Sequence, residues 1–256
     1  MQAILEASSA IMEIYATDFK AIQKDDGSPV TQADFAASRI IAAKLSTTNI
    51  PIIGEELEIE DYSVRSNWKE NWLVDPLDGT RMFLERNDEF CINIAHIVKG
   101  KPIFGMIGSP TEKKILFGGP DYGVFIANYS DIEQPEKWQK LEATGRLNYP
   151  LVVICSRSYA HGAGFKYMQI LEQTFGEMTY LRKGSALKFF DLATGKADIY
   201  ARFAPTMEWD IAAGQAIIET LGGSVVDVKN NKSLRYNKAD LYNPQLIAKS
   251  KAFIAI

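Results

Sequence analysis

Cys91–Val98 alternates between two faces, the mark of a half-buried strand, and further short apolar runs follow it closely at Pro102–Ile107, Lys114–Phe117 and Gly123–Ile126. Tight-turn signals at Lys99-Gly100 and Gly118-Gly119-Pro120 separate them. Four consecutive strands joined by such short turns can pair only as an antiparallel meander, and this block constrains the rest of the fold.

Upstream of it, Ile4, Ile11, Ile14, Tyr15 and Phe19 recur near helical spacing and predict a first helix over Ala3–Ile22, broken by the loop Lys24–Pro29. Thr31-Gln32-Ala33-Asp34 has capping-box form and opens a second helix to about Leu45. Short strands are predicted at Ile50–Ile53 and Trp72–Val74. The polar stretch from Asn128 to Asn148 carries little core signal and marks a boundary. Beyond it the order becomes strand (Leu151–Cys155), helix (Ala163–Phe175), strand (Met178–Leu181), helix (Ser185–Thr194), strand (Ala197–Ala201) and helix (Ile211–Leu221). The expectation is an α+β unit over residues 1–147 and an α/β unit over residues 148–256, sharing a cleft.

A chain of 256 residues is ample for a large hydrophobic core. Lys and Arg total 28 against 32 Asp and Glu, a net charge of -4, which excludes a broad electrostatic grip on nucleic acid or an anionic membrane. An anionic substrate would need a local basic pocket or bound cations. The two cysteines, Cys91 and Cys155, sit in strand-like apolar runs and read as buried thiols, not as a disulfide scaffold or zinc site. With only His96 and His161, a two-histidine metal site is not expected. No apolar run approaches the roughly 20 residues of a membrane span. The amino terminus lacks a basic region and reads as an amphipathic helix, not a signal peptide, so the expected location is the cytoplasm.

The chemistry concentrates in acids. In Asn71–Thr80 an apolar strand runs into Asp75 and Asp78, split by Pro76; Gly79 permits a tight bend and Thr80 starts a helix. Carboxylates at a strand end suit hard cations beside a phosphate, with the acids and the Leu77 carbonyl on metal and the Gly79 and Thr80 N–H groups facing the anion. Taken alone, the segment reads as well as an Asp-Pro turn with a helix cap. Glu55 and Glu56 follow a strand and could be a solvated loop. Asp210, before the small-residue run Ile211–Gly214, could be a plain N-cap, and Asp34 a mere capping-box member. As four coincidences in this order, they are hard to accept.

In wording and order these segments resemble the lithium-sensitive, magnesium-dependent phosphatases of the inositol monophosphatase superfamily, whose Gly-Glu-Glu, Asp-Pro-x-Asp-Gly-Thr and Trp-Asp-x-Ala-Ala-Gly patterns are all present. Within it the bisphosphate nucleotidases are most similar. That similarity rests on Gly27–Asp34, Trp72–Phe83, Arg86–Phe90, Lys101–Gly105, Ser156–Ser158, Gly184–Phe189 and Tyr200–Phe203. The resemblance spans about residue 24 to Pro244.

The resemblance implies a layered αβαβα sugar-phosphatase fold of two subdomains with the active site between them. It implies two or three Mg²⁺ ions: Glu55, Asp75 and the Leu77 carbonyl on one, Asp75, Asp78 and Asp210 on the second, a weaker third near Glu55. Catalysis would fall to Glu55, Thr80 and Asp34, the water's proton passing towards Thr80 and Asp34, because a hydroxyl needs an acceptor for its own proton. Ser185, Lys188 and Arg202 would bind the phosphate that is not cleaved, with Leu77, Asp78, Gly79, Thr80 and Asp210 completing the substrate site.

The implied reaction is hydrolysis of adenosine 3',5'-bisphosphate to AMP and phosphate, a step of sulfur metabolism, with 3'-phosphoadenylyl sulfate as a second substrate. The alternatives are an inositol or sugar monophosphatase and a catalytically silent nucleotide or metal sensor. Partners would be small-molecule nucleotide bisphosphates, without nucleic acid or a transmembrane segment; oligomeric state is left open. Some relatives associate with the cytoplasmic face of the inner membrane. One departure stands out: where relatives read Ser-Arg-Ser-His, this chain has Tyr159, with His161 two positions on, so the family's histidine contact is not carried over.

Overall fold

A computed structural model of the chain describes residues 1–20, 22–23, 29–155 and 163–255. The Lys24–Ser28 loop, Ser156–Ser158, Tyr159 and His161 lie outside the described residues.

Helix α1 (Gln2–Tyr15) stops about two turns before the predicted Ile22. Arg86 is the reason: its guanidinium donates to the Tyr15 and Thr17 carbonyls at 2.6 and 2.5 Å. Phe19 then leaves the helix axis to pack on Phe83, ring centroids 4.5 Å apart. Tertiary aromatic packing here outweighs helical periodicity. A short ribbon, β1 (Ile22–Gln23) and β2 (Pro29–Val30), leads into α2 (Gln32–Ser46), which carries the expected capping box.

Then come β3 (Ile52–Gly54), α3 (Tyr62–Arg65), β4 (Glu70–Asp78), α4 (Thr80–Leu84), β5 (Cys91–Val98), β6 (Lys101–Ser109), β7 (Lys114–Gly119), β8 (Gly123–Asn128) and β9 (Gln139–Leu141). The strands form one seven-stranded sheet in chain order, β3 parallel to β4 and the rest antiparallel. The meander is as read. Lys99 and Gly100 both adopt positive φ (49° and 72°), the backbone of a two-residue hairpin turn. Gly118 and Gly119, read as turn residues, are paired in β7 instead, and Pro120–Tyr122 make the turn. Nor is the polar boundary stretch free of structure, since β9 pairs with β8 and Trp138 packs edge-on against Phe117.

The second half runs β10 (Leu151–Cys155), α5 (Ala163–Phe175), β11 (Met178–Arg182), α6 (Lys188–Ala193), β12 (Ile199–Arg202), α7 (Glu208–Thr220), β13 (Ser224–Asp227), β14 (Leu246–Lys249) and α8 (Lys251–Ile254). Its five-stranded sheet has the order β11-β10-β12-β14-β13, parallel except at β14.

Side-chain alternation sorts these elements into five layers. Ile92, Ile94 and Met106 face α1 and α2, meeting Ile4, Ile11 and Ile41. Ala95, Ile97 and Ile107 face the other way, onto Phe189 of α6 and Ala212, Ala213 and Ile217 of α7. Those two helices pack in turn on Tyr200, Val225 and Leu246 of the second sheet. Its outer face, Val153, Ile199 and Ile247, is covered by Met168, Leu171 and Phe253. This is the αβαβα layering the resemblance implied. At its tightest point a Cβ on Gly105 would lie 2.2 Å from the Ala213 carbonyl oxygen, so β6 and α7 touch backbone to backbone.

Candidate active site

The ends of β3, β4 and β12 and the starts of α4 and α7 open into a cleft of about 700 Å³. Glu55, Asp78, Gly79, Thr80, Ser185, Lys188, Arg202 and Asp210 line it. Leu77, Asp75 and Asp34 are buried immediately behind. All of the site residues read from the sequence therefore gather in one region.

Strand β4 shows how. Asp75 pairs with Asn93 but Asp78 with Cys91, so three steps on β4 oppose two on β5. In a regular strand, residues three apart point to opposite faces. The bulge between Asp75 and Asp78, a stretch that includes Pro76 with no ladder N–H, brings both carboxylates to the same face. Gly79 follows at φ 99°, and a Cβ there would come within 3.0 Å of the Glu89 carbonyl, so the bend into α4 requires glycine.

Each carboxylate is held. Oδ2 of Asp78 accepts the Ala186 N–H at 2.5 Å, Nδ2 of Asn93 at 3.2 Å and the Cys91 thiol at 3.6 Å. Oδ1 of Asp75 accepts the Leu77 N–H at 3.0 Å. Asp210 was read as standing just before its helix. It is the third residue of α7, where it accepts the Met207 N–H at 2.9 Å. Burial first, then the charges of Glu55, Asp78 and Asp210, hold the Asp75 carboxyl well above its ordinary range. Burial and Asp78 push Asp210 up to about 8. Buried acids gathered this closely are the kind of group whose charge a bound cation would offset.

The donors are carboxylates and the Leu77 carbonyl, all hard oxygens, which fits Mg²⁺. Among the described residues no three Asp, Glu, His or Cys side chains close into a cage. Mg²⁺ does not require a closed cage, because it keeps several waters and completes its shell with substrate phosphate.

Beside the acids, Thr80 donates from Oγ1 to Oδ1 of Asp34 at 3.0 Å. The other oxygen of Asp34 accepts the Thr31 N–H at 2.7 Å and the Thr31 hydroxyl at 2.6 Å. Burial raises the Asp34 pKa against those hydrogen bonds. Across the cleft, Ser185 lies in a turn at φ 47°, not in the helix predicted to begin there, and Lys188 is the first residue of α6. The Lys188 ammonium donates to the Ser185 carbonyl at 2.8 Å and lies 5.4 Å from the centre of the Tyr200 ring. Burial lowers its pKa to about 8, with Arg202 adding to the effect and Asp78 opposing it.

Sequence reasoning missed the residues that steady Asp78. Asn93 was visible as a polar residue on the same strand face as Cys91, and Cys91 itself was read only as a buried thiol.

The sequence profile of the inositol monophosphatase family matches residues 1–255. The 3'(2'),5'-bisphosphate nucleotidase CysQ of Salmonella typhimurium is 37% identical over 243 residues, 93% of this chain and 93% of that protein. Among solved structures, CysQ from Bacteroides thetaiotaomicron, a bacterial member of the inositol monophosphatase family, superposes with a TM-score of 0.87 at 36% identity, covering 97% of this chain and 94% of that one. An inositol monophosphatase/NADP phosphatase solved with Mg²⁺ and phosphate superposes with a TM-score of 0.75 at 19% identity, over 96% of this chain and 87% of its own. At that identity the likeness is one of fold.

Proposed function

The chain belongs to the inositol monophosphatase family, and from that premise we propose that it is a 3'(2'),5'-bisphosphate nucleotidase. It hydrolyses the 3'-phosphate of adenosine 3',5'-bisphosphate to AMP and phosphate, and takes 3'-phosphoadenylyl sulfate as a second substrate. One observation carries this reading: Lys188 and Arg202 line the same cleft as Asp78 and Asp210. A monophosphate needs one anion site, whereas a bisphosphate needs this second, basic one.

Glu55, Asp75 and the Leu77 carbonyl would hold one Mg²⁺ and Asp75, Asp78 and Asp210 a second, with a third, weaker ion beside Glu55. Bound there, the ions would offset the substrate's charge and lower the pKa of a water, so that it could lose a proton and attack phosphorus. The chain supplies the rest. Because Oδ1 of Asp34 takes the Thr80 hydrogen, the Thr80 oxygen is free to receive the water's proton as its own passes to Asp34. The raised pKa of Asp34 makes it a better acceptor than an exposed carboxylate. Glu55 orients the water, and the Gly79 and Thr80 N–H groups face the phosphate to be cleaved. Ser185, Lys188 and Arg202 hold the phosphate that stays.

An inositol or sugar monophosphatase would share the acids but have no use for Lys188 and Arg202 together. A silent sensor would have no use for the Asp34–Thr80 pair. The division at 147/148 belongs to the same reading, supported by a first sheet ending at Leu141 and a second starting at Leu151. Among the described residues no helix is long and apolar enough to cross a membrane; we place the enzyme in the cytoplasm or on the cytoplasmic face of the inner membrane.

The test is phosphate release from adenosine 3',5'-bisphosphate and inositol 1-phosphate, side by side in millimolar Mg²⁺ with and without Li⁺. The expected result is a strong, Li⁺-suppressed preference for the bisphosphate that Arg202→Ala removes. Preference for inositol phosphate would overturn the substrate assignment, and no release from either would leave the sensor.

A further inference from the structure

Two buried charges outside the cleft face each other across one loop. Arg65, at the end of α3, is 4% exposed, and among the described residues none of its hydrogen-bond partners is a carboxylate. Its guanidinium donates to carbonyls instead: Glu60 at 3.1 Å, Lys238 at 2.7 Å and Ala239 at 3.0 Å, and also to Oδ1 of Asn237 at 2.9 Å. The Asn237 side chain closes the ring by donating to the Arg65 carbonyl at 2.7 Å. On the far side of that loop, Glu208 is fully buried and accepts the Asn237 N–H at 2.6 Å, the Lys238 N–H at 3.0 Å and the Lys238 ammonium. The peptide groups of residues 237–239 thus lie between a cation on their carbonyl side and an anion on their N–H side.

What the clamp joins is the reason to assign it a role. Arg65 pins, through Glu60, the loop that begins at Glu55. Glu208 is the first residue of α7 and stands two positions before Asp210. Glu55 follows β3 and Asp210 lies in α7, so they come from separate elements of the chain. We propose that Arg65 and Glu208 are positioning residues that set the spacing between Glu55 and Asp210, and so the affinity of the cleft for Mg²⁺. This rests on reading those acids as Mg²⁺ ligands. Groups that orient metal ligands typically change metal affinity roughly 10- to 100-fold when lost.

Charge alone makes different predictions, which renders the idea testable. Removing a cation near an acidic site should tighten Mg²⁺ binding by simple electrostatics. Positioning predicts the reverse for Arg65→Met. Arg65→Lys keeps the charge but cannot span four acceptors, so electrostatics predicts no change and positioning predicts weaker binding. Glu208→Gln weakens Mg²⁺ binding on either account, since it also removes an anion, so the two Arg65 variants decide between them.

The experiment is calorimetric titration of Mg²⁺ into each protein without substrate, with kcat and the Mg²⁺ requirement measured in parallel. Asp198→Asn serves as the control. Asp198 is a buried carboxylate accepting Asn148 and Val152 N–H groups before the start of β12, at the end of that strand opposite Arg202. The expected result is Mg²⁺ dissociation constants raised about 10-fold or more in both Arg65 variants and Glu208→Gln, kcat at saturating Mg²⁺ largely kept, and no change in Asp198→Asn. Equal affinity in wild type and Arg65→Lys, tighter binding in Arg65→Met, or the same weakening in Asp198→Asn would each overturn the positioning role alone. Absence of Mg²⁺ binding by the wild type would instead remove the ligand assignment, and this proposal with it.

Discussion

Asp34 carries two readings from the sequence, a capping-box acid and a catalytic base, and its two oxygens have separate partners. Oδ2 caps α2 through Thr31 while Oδ1 receives the Thr80 hydroxyl. Asp34→Asn separates them. The amide can keep its oxygen on Thr31, so stability should change by no more than about 1 kcal/mol. Its NH₂ then meets Thr80, which must accept where it formerly donated, and the route for the proton is lost. We expect kcat to fall roughly 10²- to 10³-fold with the melting temperature nearly unchanged, read by phosphate release and thermal unfolding. Near-wild-type turnover would make Asp34 a cap and nothing more. At this scale the gathering of the motif acids in one cleft was legible, because acids at successive strand ends and helix starts are a local pattern of residue types. Asn93 and the Ala186 N–H were not, since a residue that only steadies a ligand carries no mark in sequence except a polar atom on an apolar face.

Elements were legible where their signal is local and obscured where a distant contact decides. The Lys99-Gly100 hairpin and the Thr31 capping box are local, and both stand. The end of α1 depends on Arg86, some 70 residues away, and periodicity alone ran the helix too far. The bulge in β4 was visible only as Pro76. Its consequence, two acids on one face, required the pairing with β5. The seat of α7 is a third such case, set by Gly105 on β6 touching the Ala213 backbone. A methyl at Gly105 would meet the Ala213 carbonyl at 2.2 Å, with no side chain able to yield, so α7 must move. Gly105→Ala should cost about 1–3 kcal/mol and raise the Mg²⁺ requirement by displacing Asp210. Gly145→Ala, which meets nothing within 4 Å, should do neither. Urea midpoints and Mg²⁺ titrations of the two variants decide it, and a Gly105→Ala enzyme with wild-type values for both would mean that α7 is not held by this contact.

The arrangement of the whole molecule was the least readable, because it depends on what α7 covers. Its run Trp209–Ile218 is buried almost throughout, the mark of a helix with core on every side, though the sequence could not say that the core belonged to two different sheets. One side of α7 meets Ala95 and Ile107 of the first sheet and another meets Val225 and Leu246 of the second. Neither sheet keeps a covered inner face without the other, so a chain read as two units should unfold as one. The cleft imposes the same coupling, with Asp75 and Asp78 from the first half and Lys188, Arg202 and Asp210 from the second. On the proposed ligand assignment, Mg²⁺ binding requires both halves to be native. In urea, therefore, tryptophan fluorescence, weighted to the first sheet by Trp68, Trp72 and Trp138, should trace the same transition as far-UV circular dichroism. Mg²⁺ at 100 times its dissociation constant should add about 2.7 kcal/mol without splitting that transition, and EDTA should reverse the gain. Two separated midpoints, or a Mg²⁺ shift seen by one probe only, would mean that the halves fold independently and that α7 belongs energetically to one of them.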